Sequence, residues 1–187
     1  MPDHVDRVLE QWARERPDLE ASAIGVVGRI NRLASALAPP LQRVFARFGL
    51  GRGEFDVLAT LRRTGAPHEL TPGALLESMM VTSGAVTKRV DRLERAGLVA
   101  RKPDPQDRRG VLVGLTPVGL ELIDQAVEEH VANEERLLAD LTRAEREQLA
   151  RLLRRLGESV RAAEERHAER APPGSDPAMS GSRRRAP

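Results

Sequence analysis

The sequence predicts a mainly α-helical protein with one small β-hairpin, arranged as a winged helix-turn-helix. Three observations carry this expectation. Capped helical periodicity recurs along most of the chain; two short β-rich runs, "LVARK" and "VLVGL", stand side by side; and two capped helical segments run directly into them.

In chain order, Val5, Val8, Leu9 and Trp12 fall at i, i+3, i+4 and i+7, which predicts an amphipathic helix over 4–15, ended by Pro17. Asp18 is a suitable N-cap for a longer helix carrying Ile24, Val27, Ile30, Leu33 and Leu37. Pro39 and Pro40 should kink or split that helix, because proline removes a donor and crowds the preceding turn. Helical patterning resumes through Leu41, Val44, Phe45 and Phe48, and a third helix is expected over about 53–63. Thr71 and Pro72 mark the cap and first position of a short helix running to about Ser78. The next helix should be capped by Thr82 or Ser83 and stopped by Gly97. The strands follow, with Val111, Val113 and Leu115 alternating. Thr116-Pro117 opens a helix with Leu120, Ile123, Val127 and Val131 inward, and "TRAE" is a capping box for the last helix. From Ala171 the proline-, glycine- and serine-rich composition predicts a disordered tail.

Composition narrows the function classes. The chain is 187 residues long, 40% hydrophobic and 31% charged, with a net charge of +2, as expected of a soluble globular protein able to bury a core. No apolar run approaches a membrane span and no signal-peptide h-region opens the sequence, so cytoplasm is the expected compartment. The absence of cysteine excludes disulfides, thiolate zinc sites and thiol-based sensing. His4, His68, His130 and His167 show no ligand spacing. With no nucleophile–base arrangement or glycine-rich phosphate loop, the sequence calls for no cofactor, no metal and no enzymatic activity.

Charge distribution is more telling than its sum. Between Thr87 and Arg109 stand eight basic residues and four acidic ones, a local +4 that leaves the remainder net negative. On the helix that follows Thr82, Val86, Val90 and Leu93 make one narrow apolar stripe. Gly84, Thr87, Lys88, Asp91 and Arg95 face the other way, with Ser83 and Arg92 on the flanks, offering hydroxyls, small residues and cations suited to a major groove. The loop "RKPDPQDRRG" is then the wing: Arg108 and Arg109 reach for phosphate or a minor groove, and Asp104 and Asp107 hold those guanidiniums in place. Double-stranded DNA is the expected partner and the nucleoid the expected place of action.

With "DRLERAGLV", "DPQDRRG" and "LTPVG", the stretch from about residue 20 to 160 resembles the MarR family of regulators. The resemblance implies a homodimer whose N- and C-terminal helices intertwine on a pseudo-palindromic operator. It divides the chain into an extra N-terminal helix (1–17), a scaffold helix (18–50), the DNA-binding domain (51–116), C-terminal dimerisation helices (117–170) and the tail (171–187). "WARERPDLE" and "EFDVLATLRR" are similar to the urate-responsive, PecS-type subfamily. That similarity implies an effector pocket made of Trp12, Asp56, Arg89 and Arg101, and release from DNA by a small anionic aromatic ligand such as urate. Each residue also has a plainer reading: Trp12 as core, Asp56 as a first-turn carboxylate favoured by the helix dipole, Arg101 as a phosphate contact. Arg89 lies roughly 60° off the apolar stripe, bordering the protein body rather than the DNA face. Two other functions fit the same residues: a regulator answering a phenolic or other aromatic acid, and a winged-helix module that binds protein.

Overall fold

The computed structural model describes residues 1–79, 86–107 and 109–170. The first compact unit, Met1–Leu137, holds α1 (His4–Glu15), α2 (Ser22–Arg47), α3 (Arg52–Arg63), β1 (Glu69–Leu70), α4 (Pro72–Ser78), α5 (Val86–Arg95), β2 (Val99–Pro103), β3 (Val111–Leu115) and α6 (Pro117–Leu137). The second begins at Leu138 and holds α7 (Arg143–Arg170).

The helix expected over 4–15 has those limits. Asp3 and Asp6 close a capping box at its start, and the same carboxylates hold Arg29 of α2 at 2.9 and 2.5 Å. Asp18 does not cap α2. Its carboxylate takes two hydrogen bonds from the Arg16 guanidinium, at 2.8 and 2.7 Å, and α2 starts later with Ala21 at the cap position. Nor do Pro39 and Pro40 split α2, which is one helix of 26 residues through both. The lost backbone bonds are outweighed by packing: α2 lies along α6, Val44 and Phe45 are buried, and Arg47 pairs with Glu129 at 2.5 Å just beyond the prolines.

The core gathers where α3, α5, α6 and the hairpin meet. Val57, Leu58, Leu61, Leu75 and Ile123 are fully buried there. Phe45 stacks on Phe55 with ring centroids 4.3 Å apart, and the His130 ring meets Phe55 edge-on at 4.9 Å. Thr71 Oγ1 accepts from the Ala74 N–H at 3.2 Å, capping α4 as its sequence predicts. Gly97 ends α5 at φ +70: its N–H donates to Glu94 O and the Leu98 N–H to Leu93 O, both at 2.9 Å, a Schellman turn.

The hairpin pairs β2 with β3 antiparallel, from Val99 opposite Leu115 to Pro103 opposite Val111. A third strand, β1, was not predicted. Two residues are too few to show a period, and β1 is a strand only because it borders β3, giving the order β1-β3-β2. Glu69 of β1 lies across Gly114 and reaches Lys102 on the far strand at 2.7 Å.

Thr116 joins sheet to helix. Its hydroxyl donates to Gly97 O at 2.7 Å and accepts from the Gly119 N–H at 3.0 Å, capping α6. Of the α6 residues expected inward, Ile123 is fully buried, Leu120 and Val127 partly, and Val131 is exposed. In the second unit, Thr142 and Glu145 form the expected capping box, and Arg146 donates to the Leu138 and Leu141 carbonyls at 2.8 and 3.1 Å. The described α7 buries no side chain; Leu149, Leu152, Leu153 and Val160 are exposed, as are Val27, Leu33 and Leu37 of α2. The predicted tail lies outside the described residues.

Two glycines separate close packing from open space. A Cβ on Gly119 would lie 1.9 Å from the Leu98 carbonyl oxygen, whereas nothing lies within 4 Å of one on Gly73. Gly119→Ala should therefore destabilise the protein by about 2–3 kcal/mol, and Gly73→Ala should be neutral or stabilising by about 0.5 kcal/mol. Urea midpoints at one fixed protein concentration distinguish the two; equal midpoints would contradict the close approach of α6 to the Leu98 backbone.

Candidate nucleic-acid interface and effector site

Helix α5 is anchored by the expected stripe. Val90 and Leu93 are 2% exposed and Val86 is partly buried, while Thr87 and Lys88 stand in solvent on the opposite surface. The predicted DNA contacts Thr82, Ser83, Gly84 and Arg108 lie outside the described residues, as does the cap of α5. Arg92 is exposed but not unattached: its Nη1 lies 2.9 Å from Glu54 Oε1, in an ion pair without hydrogen-bond alignment. Glu54 is buried, and its Oε2 accepts from the Gly51 N–H at 2.7 Å, closing the first turn of α3.

The wing tip is shaped by its two aspartates, though through the backbone. Asp104 accepts from the Gln106 N–H at 2.8 Å and Asp107 from the Arg109 N–H at 2.9 Å. Both are Asx turns, in which a carboxylate takes the amide two residues on. Arg108, one of the two arginines these aspartates are expected to hold, lies outside the described residues. Gly110 closes the tip, its N–H donating to Asp107 O at 2.8 Å and its carbonyl accepting from Asp104 N at 3.0 Å. Arg109 is exposed at this tip.

The residues expected around an effector do not all meet in one chain. Arg89 places its guanidinium over Gly53 of α3 and is mostly withdrawn from solvent; Nη1 is buried with no hydrogen-bond partner among the described residues. Asp56 lies three residues further along α3, buried at 7% exposure. It is beyond the first turn, where the acidic residue is Glu54, so the helix dipole does not account for Asp56. Arg101 is engaged elsewhere. On β2 it binds Asp91 at 2.5 Å and Glu94, and its N–H donates to Glu94 Oε1 at 3.1 Å. The hydrogen bond that Arg101 donates to the Asp91 carboxylate, helped by Glu94 and only partly opposed by burial, raises the Arg101 pKa above its ordinary value, so the side chain stays a cation. Trp12 keeps 40% of its surface exposed on α1, whose packing partner is α2.

Helix α5 is thus held by charge on two sides of opposite sense. Arg89 and Arg92 project to the α3 side, and Asp91 and Glu94, roughly 140–200° round the helix from Arg89, grip the wing strand. Sequence reading missed Gly53, Glu54, Asp91 and Glu94 as site residues. The Gly51-to-Glu54 spacing is a legible capping signal and the i, i+3 acids are visible on α5, but no local pattern links Gly53 to Arg89.

Comparison with known proteins places this geometry. Residues 48–110 match the MarR family. The HTH-type transcriptional regulator PecS of Dickeya dadantii (strain 3937) is 40% identical over 152 residues, covering 81% of this chain and 92% of PecS. Sco3205, a MarR family transcriptional regulator of Streptomyces coelicolor solved in complex with DNA, superposes with a TM-score of 0.68 at 25% identity, over 75% of this chain and 89% of that one. BpsR of Bordetella bronchiseptica, whose DNA binding is regulated by 6-hydroxynicotinic acid, has a TM-score of 0.63 at 26% identity, over 74% and 96% of the two chains. These relatives are regulators, in keeping with a chain that is not an enzyme. No helix among the described residues is long and apolar enough to cross a membrane.

The Arg101 clasp makes a local prediction. Glu94→Gln removes the charge that holds both the guanidinium and the Arg101 amide, at a half-exposed site where such bonds are discounted. Amide exchange at Arg101 should quicken by about three- to tenfold, with Val113 in the buried sheet unchanged. Equal exchange in both proteins would show that the clasp does not hold the wing.

Proposed function

The chain belongs to the MarR family of DNA-binding transcriptional regulators, and from that premise we propose that it is a repressor released from DNA by a small anionic aromatic effector such as urate. The observation that carries the DNA-binding part is the anchored α5, which turns Thr87 and Lys88 outward beside a wing tip presenting Arg109. The protein acts as a homodimer. Exposed Val27, Leu33 and Leu37 on α2, and Leu149, Leu152, Leu153 and Val160 on α7, supply the apolar surface that a second copy would cover. A two-fold dimer calls for a pseudo-palindromic site with half-sites about 34–36 Å apart.

Support for the effector comes from Arg89. A buried guanidinium nitrogen lacking an acceptor is unfavourable, and an anionic ligand offers one. Trp12 has an exposed indole for stacking, and buried Asp56 is a like charge for the incoming anion to displace. Arg101 adds a conformational condition. To reach the ligand it must leave Asp91 and Glu94, which frees the wing strand from α5. Effector and DNA then disfavour each other by the same factor. The likeness to BpsR favours a second reading, in which the effector is another aromatic acid using the same arginines.

Fluorescence anisotropy of a labelled duplex from the gene's upstream region, at two salt concentrations with and without urate, tests both parts. Binding should be tight, steeply salt-dependent and reversed by urate. Arg109→Ala should weaken it and flatten the salt slope by about 1. Arg89→Ala should keep DNA binding and lose release by urate; collapse of DNA binding instead would make Arg89 a phosphate contact. Leu152→Asp with Leu153→Asp should sediment as a monomer and bind the duplex poorly; a dimer in that variant would move the seam elsewhere.

A further inference from the structure

Gly53 has no conformational reason to be glycine. Gly49, Gly65 and Gly97 have positive φ, but Gly53 sits in the first turn of α3 with backbone angles open to any residue. Glycine inside a helix is otherwise disfavoured against alanine. What position 53 accommodates is the guanidinium of Arg89. A Cβ there would stand 2.2 Å from Arg89 Cζ, 2.3 Å from Nε and 2.7 Å from Nη1. A side chain at 53 and the guanidinium in its present place exclude each other.

We infer that Gly53 is a positioning residue of the effector site: its bare backbone is the seat that holds the Arg89 guanidinium in place, with buried Nη1 left for an anionic ligand. The inference rests on the reading that Arg89 receives the effector. Its physical basis is preorganisation. A free arginine has many rotamers and a hydration shell, and both must be given up when it binds an anion. Seated on Gly53, the guanidinium has already given up part of both, and Nη1 is buried without an acceptor among the described residues. The seat lies on the helix that carries buried Asp56, so an anion arriving at Nη1 comes to the α3 carboxylate rather than to the DNA face of α5.

The colliding atoms are the tip of a flexible side chain, so Gly53→Ala should turn Arg89 out without disturbing α3. It removes the seat while keeping the charge. In full-length protein, with the operator duplex and urate as probe, Gly53→Ala should retain DNA affinity within about threefold and raise the urate concentration for half-release by about tenfold or more, a change of about 1.4 kcal/mol. Gly53→Ala combined with Arg89→Ala should respond no worse than Arg89→Ala alone. The melting midpoint gives a readout without ligand: Gly53→Ala should shift it by a different amount in the natural sequence than in the Arg89→Ala background, where only helix propensity is left, and equal shifts would overturn the seat. If Arg89→Ala abolishes release while Gly53→Ala responds normally, the effector reading stands and the seat is overturned. If urate releases both variants as it does the natural protein, both are overturned. Loss of DNA binding in Gly53→Ala would show the seat to serve helix placement instead, and would overturn the inference.

Discussion

The position of α5 is the constraint on which the remaining geometry depends, and burial alone does not set it. Val90 and Leu93 fix one edge of the helix in the core, but a narrow apolar stripe leaves freedom to roll about that edge. Contacts on the two flanks remove it. Toward α3, Arg92 pairs with Glu54; toward the wing, Asp91 and Glu94 hold Arg101. Because the flanks use opposite charges, neither set of contacts can be exchanged for the other if the helix rolls. The outward face is thereby left to Thr87 and Lys88.

Under the proposed effector reading, the same arrangement would couple a small ligand to the DNA-reading surface. Ion pairs at half-exposed sites are individually weak, so a competing anion needs little free energy to redirect one of them. Redirecting Arg101 in that reading would unfasten β2 from α5, since Asp91 and Glu94 are its partners there. The wing is itself a stiff lever. Asx turns at Asp104 and Asp107 lock its tip, and Glu69 straps β1 to Lys102 across Gly114.

Close backbone approaches give the domain its rigidity at the points where elements change direction. Thr116 is bonded at once to Gly97 O and the Gly119 N–H, so the end of α5, the end of the hairpin and the start of α6 share one hydroxyl. Gly119 lets α6 begin against the Leu98 carbonyl, and Arg62 ties α3 to Asp124 of α6 at 2.6 Å. The base on which α5 rests is therefore held on several sides.

Local chemistry was sufficient wherever one short segment decides its own conformation. The Thr71-Pro72 start of α4, the Gly97 stop of α5, the paired strands and the Thr142–Glu145 box were all legible, because caps, turn residues and periodicity act within a few residues. The family resemblance, the apolar stripe of α5 and its outward Thr87 and Lys88 were legible for the same reason. What failed had a distant partner or a nearer competitor. Asp18 was taken by Arg16, the prolines were overridden by packing on α6, and β1 existed only through β3. Tertiary structure alone decided that Arg89 rests on Gly53, that Arg92 meets Glu54, and that Arg101 is claimed by Asp91 and Glu94. The sequence by itself determined the elements and the charges they carry; which charge meets which depends on how helices far apart in the chain are turned toward each other, and no local period records that.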